Sequence, residues 1–275
     1  MKTIVAPTDF SATSINAVYY AADMAKVLKL DLAILHVTEI PKSFNQLSMP
    51  IYNSADLLNS GEEKLNELKQ KISDYSDNRI KITTSVMLGD VVASIDDYCA
   101  EVKPYAVIMG AETIKGFERI LFGGKTLTAL KKLIWPVMVV PGNIKFNGIK
   151  KIALACDLKD VERYLPVKQI TNILNVSPYE LFVLHVNPDS PDSFSAEIDR
   201  QAGKLYKILS KLKPKYRFLS GIDITKGIAD FVIKNKIDLL IVIPKKHNVV
   251  TNLFRKSCSK ELVLTSQVPV LSIHE

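Results

Sequence analysis

The chain is written twice. Residues 2–9 read KTIVAPTD and residues 150–157 read KKIALACD, two short apolar runs that each end in an aspartate, Asp9 or Asp157. DLAILHV at 31–37 is answered by YELFVLHV at 179–186, with His36 and His185 in the same place. MLGDVVASIDDYCAEVKPYAVIMGA at 87–111 aligns with ITKGIADFVIKNKIDLLIVIPKK at 224–246, which sets Gly89 opposite Gly227 and has each precede a helix. WPVMVVP at 135–141 aligns with VPVLSIH at 268–274, Pro136 opposite Pro269. The order is the same in both halves and only loop lengths differ. Such a chain must fold as one architecture made two times over. Its 275 residues suit two compact domains of about 100–150 residues each. The expected bounds are 1–142 and 150–275, joined by the short link GNIKFNGIK at 142–150.

Each half alternates two periods. Continuous apolar runs (TIVAP, DLAILHV, RIKITTSV, YAVIM and VMVVP in the first half) are separated by amphipathic stretches at 13–28, about 54–75, 90–102 and 125–134. The second half offers LFVLHV, YRFLS, LLIVIP and VPVLSI, with helical patterns near 160–174, 194–212, 227–236 and 257–265. Strands that are apolar on both faces, alternating with amphipathic helices, build a parallel sheet covered by helices on both sides.

Composition narrows the function classes. Hydrophobic residues make up 47% and charged residues 24%, enough for two buried cores. No apolar run reaches the roughly 18 residues that crossing a bilayer takes, and MKTIVAPTDF meets an acid too early for a secretory signal. Cys99, Cys156 and Cys258 are far apart and no Cys/His cluster exists, which excludes the usual zinc spacings and suits a reducing, cytoplasmic setting. The net charge of +7 is uneven: residues 1–150 hold 17 basic and 16 acidic side chains and residues 151–275 hold 19 and 13, so +6 of the excess lies in the second half. That permits an anionic partner without requiring one.

In an open α/β sheet, ligands bind beyond the carboxyl ends of the strands where strand order reverses. The loops to inspect follow the first and fourth strands: PTDFS at 7–11 and MGAETIKGFERILFGGKTLT at 109–128. Five of the eleven glycines fall between 110 and 142. A helix that starts near Lys125 directs free backbone N–H groups at an anion, with Lys125 and Thr126 adding a cation and a hydroxyl. The loop is not a Walker A motif, because GxxxxGK(S/T) ending at Thr126 needs glycine at 119 and the residue is Arg119. The same glycines also serve ordinary strand-to-helix turns.

These residues carry a resemblance. The whole chain resembles a tandem universal stress protein, two such domains in one polypeptide. Nucleotide-binding members of that family carry Gly-x2-Gly-x9-Gly-(Ser/Thr) after the fourth strand. Here the four positions read Gly110, Thr113, Gly123 and Gly124, so two match. Asp9 matches the family's ribose-side aspartate, and Val37 the strand-two position that touches the base. The resemblance implies two doubly wound α/β domains, each a five-stranded parallel sheet in the order 3-2-1-4-5 with helices on both faces. It implies ATP or a related adenine nucleotide, with Mg2+ as a candidate companion. The implied nucleotide-binding residues are Ala6, Pro7, Asp9, Ser11, Val37, Met109, Gly110, Thr113, Gly123, Gly124, Lys125 and Thr126. Thr113 and Gly124 depart from the motif, and Lys125 and Thr126 are the candidates to compensate. In the second half the aligned segment reads Pro244 to His247, nine residues, then Ser257 and Cys258, with no glycine at any signature position. The family's last strands form its dimer contact, so VMVVP and VPVLSI are expected to make an internal pseudo-dimer, and any further homodimer then uses another surface.

Other groups have plainer readings. Asp9 and Asp157 each serve a ribose or cap a helix, and capping is the expected role for Asp157. His36 and His185 lie in apolar strands without a positioned partner and read as core histidines. No GxSxG, HExxH or cysteine-nucleophile motif is present. Catalysis is therefore not supported beyond, at most, slow ATP hydrolysis. Three functions stay open: a nucleotide-binding regulatory module, an interaction protein whose sites have decayed, and a polyanion binder using Lys245, Lys246, His247, Arg255 and Lys256. Nucleic acid ranks last, because no basic platform interleaved with aromatics is visible.

Overall fold

Every strand expected from a continuous apolar run is found, and side-chain caps from Ser11, Asp90 and Asp223 mark where three of the helices begin. The computed structural model describes residues 2–39, 54–113, 120–121, 124–174, 178–187, 196–220, 223–244 and 266–274. It divides into two units: residues 1–112 with 122–146, and residues 113–121 with 147–275.

The first unit holds β1 (Thr3–Pro7), α1 (Ala12–Leu28), β2 (Asp31–Thr38), α2 (Ser54–Tyr75), β3 (Ile82–Leu88), α3 (Val91–Val102), β4 (Ala106–Thr113), α4 (Gly124–Lys132) and β6 (Val137–Pro141). A two-residue strand, β5 (Ile120–Leu121), lies in the segment grouped with the second unit. The sheet order is β3-β2-β1-β4-β6, with parallel pairings. That is the order 3-2-1-4-5. Its core is the central strands, with Ile4, Val5, Leu32, Ile34, Leu35, Val107, Ile108 and Met138 almost fully buried.

The second unit holds β7 (Lys151–Ala155), α5 (Val161–Tyr164), α6 (Val167–Leu174), β8 (Glu180–Asn187), α7 (Ala196–Leu209), β9 (Lys215–Ser220), α8 (Ile224–Lys234), β10 (Leu239–Val242) and β11 (Val270–Ser272). Its parallel order, β9-β8-β7-β10-β11, repeats the first. The helix expected over 160–174 is two helices. Pro166 has no N–H to donate and disfavours helical backbone at the residue before it, and Leu165 is extended there. The helix expected at 257–265 and the basic loop at 245–256 lie outside the described residues.

Strand register corrects the internal alignment. Ile4 pairs with Ala106 and Ile152 pairs with Leu239, so Ala106 and Leu239 are equivalent. Val107 faces Val137 as Leu240 faces Val270. Helix α3 begins after Asp90, whose carboxylate accepts from the Val92 and Ala93 amides, and α8 begins after Asp223, which accepts from the Lys226 amide. The offset is one constant: 224 − 91, 239 − 106 and 270 − 137 all equal 133. Asp90 therefore matches Asp223, and Gly227 lies inside α8 rather than before it. Gly110 matches Ile243, and Pro244 takes the place of Ala111.

Candidate functional site

In the first unit the order of strands reverses between β1 and β4, and the carboxyl ends of these two strands define a crevice. Its β1 side is a chain of local hydrogen bonds. The buried Thr8 hydroxyl accepts from the Phe10 amide at 3.0 Å and lies 2.9 Å from the Ser14 hydroxyl. Asp9 turns outward and accepts from the Ser11 amide at 3.0 Å. Its partial burial by itself would raise the carboxyl, but the Ser11 and Ser14 hydroxyls and the Ser11 amide hold it below the ordinary value. Asp9 is thus ionised at neutral pH.

The cap of α1 is Ser11, whose hydroxyl accepts from the Ser14 amide at 3.3 Å. Asp9 is therefore no helix cap, and Ser11, expected to serve the nucleotide, has its hydroxyl engaged by the helix. Asp157 is no cap either: it accepts from the Lys159 amide at 3.2 Å, while the first amide of α5, on Val161, donates to Gln201. Phe10 has φ of 64° and its equivalent Leu158 has 53°. The left-handed residue after the aspartate thus belongs to the fold and is not a device of one site.

Both core histidines do the same work. Nδ1 of His36 lies 2.8 Å from the Thr8 carbonyl, and Nδ1 of His185 lies 3.0 Å from the Cys156 carbonyl. A carbonyl only accepts, so Nδ1 carries the proton in both. Each imidazole pins the carbonyl just ahead of its unit's aspartate, matching the structural role read from the sequence.

On the β4 side, Gly110 is packed against helix α1. A Cβ there would sit 2.3 Å from the Thr13 carbonyl oxygen and 2.6 Å from its carbon. Glycine is demanded by this backbone approach before any ligand is considered. In the second unit the turn from β7 to α5 is one residue longer, and the half-buried Ile243 is accommodated at the matching position. At Gly124, by contrast, a Cβ would meet nothing within 4 Å. This residue opens α4, whose first-turn N–H groups have no partners within the helix.

The side chains of that turn are occupied. The buried Thr126 hydroxyl points at the Gly110 carbonyl, 3.4 Å away, and Thr128 donates to the Gly124 carbonyl at 2.7 Å. Lys125 forms an ion pair with Glu39, the residue that follows β2. Thr126 therefore does not replace the hydroxyl missing at Gly124. Glu39 was not singled out by the sequence, and its partner is 86 positions away.

The remaining expected residues fall where the doubly wound order puts them. Ala6 and Pro7 are buried at the end of β1, Met109 is buried in β4, and Val37 is half-buried in β2 with Met87 as its β3 neighbour. Thr113 ends β4 in the backbone, its side chain outside the described residues, as is the whole of Gly123. Among the described residues no group of three or more His, Cys, Asp or Glu is placed to hold a metal, and no helix is long and apolar enough to cross a membrane.

A parallel sheet of order 3-2-1-4-5, with an acidic turn after strand one and a helix after strand four, defines a doubly wound α/β module. The universal stress protein family model matches residues 1–141, and the chain belongs to that family. It is similar to two universal stress proteins of Methanocaldococcus jannaschii. One is 27% identical over 144 residues, covering 50% of this chain and 81% of the relative; the other is 27% identical over 158 residues, covering 50% and 94%. Each of these relatives matches half of this chain, which fits the internal duplication. Over its whole length the chain shares the fold of a universal stress protein from Archaeoglobus fulgidus, with a TM-score of 0.76 at 17% identity, covering 99% of this chain and 98% of the other.

Proposed function

We propose that the first unit binds an adenine nucleotide and that the chain acts as a regulatory module of the stress response, with the second unit as its degenerate partner. One observation carries this reading. An ionised, outward-facing Asp9 and an unobstructed Gly124 at a helix start flank the β1/β4 crevice. The carboxylate accepts from ribose hydroxyls. Val37, half-buried in β2, offers an apolar contact to the base, and Ala6 and Pro7 are buried at the end of β1. The backbone of Met109, Gly110, Gly124 and Lys125 lines the phosphate side. Ser11 and Thr126 contribute packing, since their hydroxyls are engaged. Mg2+, if carried, rides on the phosphates, since the described residues supply no carboxylate cluster for it.

The test is direct. Purified protein is denatured and the supernatant assayed for adenine nucleotide, and thermal melts are run against nucleotide with and without Mg2+. Ligand at 100 times Kd stabilises the native state by about 2.7 kcal/mol. No carried nucleotide and no shift at millimolar concentrations favour the second reading, an interaction protein with decayed sites. The observations on its side are Gly110, whose lack of a side chain is accounted for by Thr13, and the Glu39–Lys125 pair.

The domain bounds at 1–142 and 150–275, the pairing of the two last strands, a homodimer and a cytoplasmic location rest on the family resemblance and the cysteine usage. Expression of 1–142 alone, followed by sedimentation of both forms, tests the first three. Fractionation of cells tests the last.

A further inference from the structure

We propose that β9, the outer strand of the second unit, takes up an extended segment of an acidic partner protein in which carboxylate and apolar side chains alternate.

The strand has an open side. Among the described residues the order β9-β8-β7-β10-β11 ends at β9, and an edge strand turns N–H and C=O groups outward. The Tyr216 carbonyl accepts an exposed hydrogen bond of 2.9 Å from the guanidinium of Arg217, its own neighbour in sequence. A side chain there does what the N–H of a further strand would do. An incoming strand replaces it and releases the guanidinium for a carboxylate.

Side chains alternate across a strand, and β9 uses that period to separate cation from ring. Lys215 and Arg217 share one face, with their charges 5.8 and 5.9 Å from the centre of the Phe182 ring. Tyr216 is on the other face, edge-on to Tyr206 of α7 at 4.2 Å, and Phe218 follows it there beside His185. Tyr206 and Phe218 are 42% and 40% exposed. A strand laid along β9 has the same period. Every second residue of it meets the cations, and the residues between meet the rings.

The fold does not require this charge. Residues 204–220 hold six basic side chains and no acidic one, while the corresponding stretch of the first unit, 67–88, holds four basic and three acidic. By register Lys215 and Arg217 stand where the first unit has Thr83 and Ser85, in a strand, ITTSVML, without a charge. Lys204 pairs with Glu162 and Lys215 with Glu180, exposed pairs that a partner's carboxylates can exchange. Cations on an edge repel a second copy of the same strand, and the same charges favour a strand that carries carboxylates. A nucleic-acid strand fits less well, because its bases and phosphates need rings and cations together, and β9 sets them on opposite faces.

The experiment is fluorescence anisotropy of labelled peptides with the full chain at low salt. The probes are a peptide of alternating Glu and Val, the same residues arranged in two blocks, alternating Lys and Val, and an oligothymidylate. Each is titrated with wild type and with the double variant Lys215→Gln, Arg217→Gln, whose fold is checked by circular dichroism. The alternating acidic peptide is expected to bind wild type about tenfold more tightly than the other probes, and to lose about tenfold with the variant. It is also expected to slow amide hydrogen exchange in β9. Equal binding of the blocked peptide, or protection that leaves β9 unchanged, shows charge attraction without strand addition and overturns the proposal. Tighter binding of the oligothymidylate overturns it in favour of nucleic acid. Failure of the alternating peptide to bind folded wild type overturns it outright. None of these outcomes bears on the nucleotide reading of the first unit.

Discussion

Gly110 and Thr13 approach so closely that a Cβ on the glycine would lie 2.3 Å from the threonine carbonyl oxygen. The atom it would meet is backbone of the first turn of α1, which is held by the Ser11 cap and by Asn16, whose amide donates to the Ile144 carbonyl at 3.0 Å. The helix cannot yield cheaply. Gly110→Ala is expected to destabilise the first unit by about 2–3 kcal/mol. The one tryptophan in the chain, Trp135, donates to Asp96 at 3.0 Å and lies in the first unit, so its fluorescence in a urea titration reads this loss.

Gly124 has the opposite expectation. Open space surrounds the position, and alanine is the better helix former. Gly124→Ala is expected to leave stability unchanged or to raise it by up to ~1 kcal/mol. Gly124→Ser, equally tolerated, restores the hydroxyl of the family motif and is expected to raise ATP affinity. Melting curves and calorimetric titration with ATP check both. A large loss of stability in either variant would show that the start of α4 is packed.

His36 and His185 each hold a strand-end carbonyl through Nδ1–H. Replacement by alanine removes the donor and leaves that carbonyl short of a partner, at a cost of about 1–3 kcal/mol. The cost is expected to be larger at His185, which is 9% exposed, than at the half-buried His36. Urea midpoints of the two single variants make the comparison.

Asp9 gives the acid limb a definite sign. Its folded carboxyl titrates below the ordinary value. The stability it contributes is therefore full above an unfolded value of about 3.9 and is lost as pH falls through the lower folded one. Asp9→Asn is expected to flatten the fall in urea midpoint between pH 5 and pH 2.5 relative to wild type. An unchanged slope would sink the assignment.

Cys99 is fully buried, and burial pushes its thiol up to about 12. The thiolate is the reactive form, so almost none is present at pH 8. Native protein treated with iodoacetamide at pH 8 is expected to leave Cys99 unlabelled by peptide mass mapping, and labelling is expected after unfolding in urea. Labelling of the native form would place the thiol at the surface.

Sequence alone determined the duplication, the strands and the parallel class, and it placed the helices of the first unit, because apolar period and turn residues are local consequences of backbone geometry; at 160–174 it missed the break before Pro166. Ser54–Tyr75 and Val137–Pro141 begin and end where their patterns do. The core reading of the histidines was legible for the same reason: each lies inside an apolar strand. Contacts between distant residues were not legible. The chain carries no local sign that Glu39 meets Lys125, that Thr126 turns toward Gly110, or that Gly110 lacks a side chain because Thr13 is behind it. String matching likewise placed Gly110 opposite Pro244. Only hydrogen-bond register moved it to Ile243, since a strand's neighbours are chosen by the sheet. Residue type and spacing marked the crevice, and tertiary packing decided which of its groups are left for a ligand, because the Lys125 ammonium and the Thr126 hydroxyl have partners on other segments of the chain.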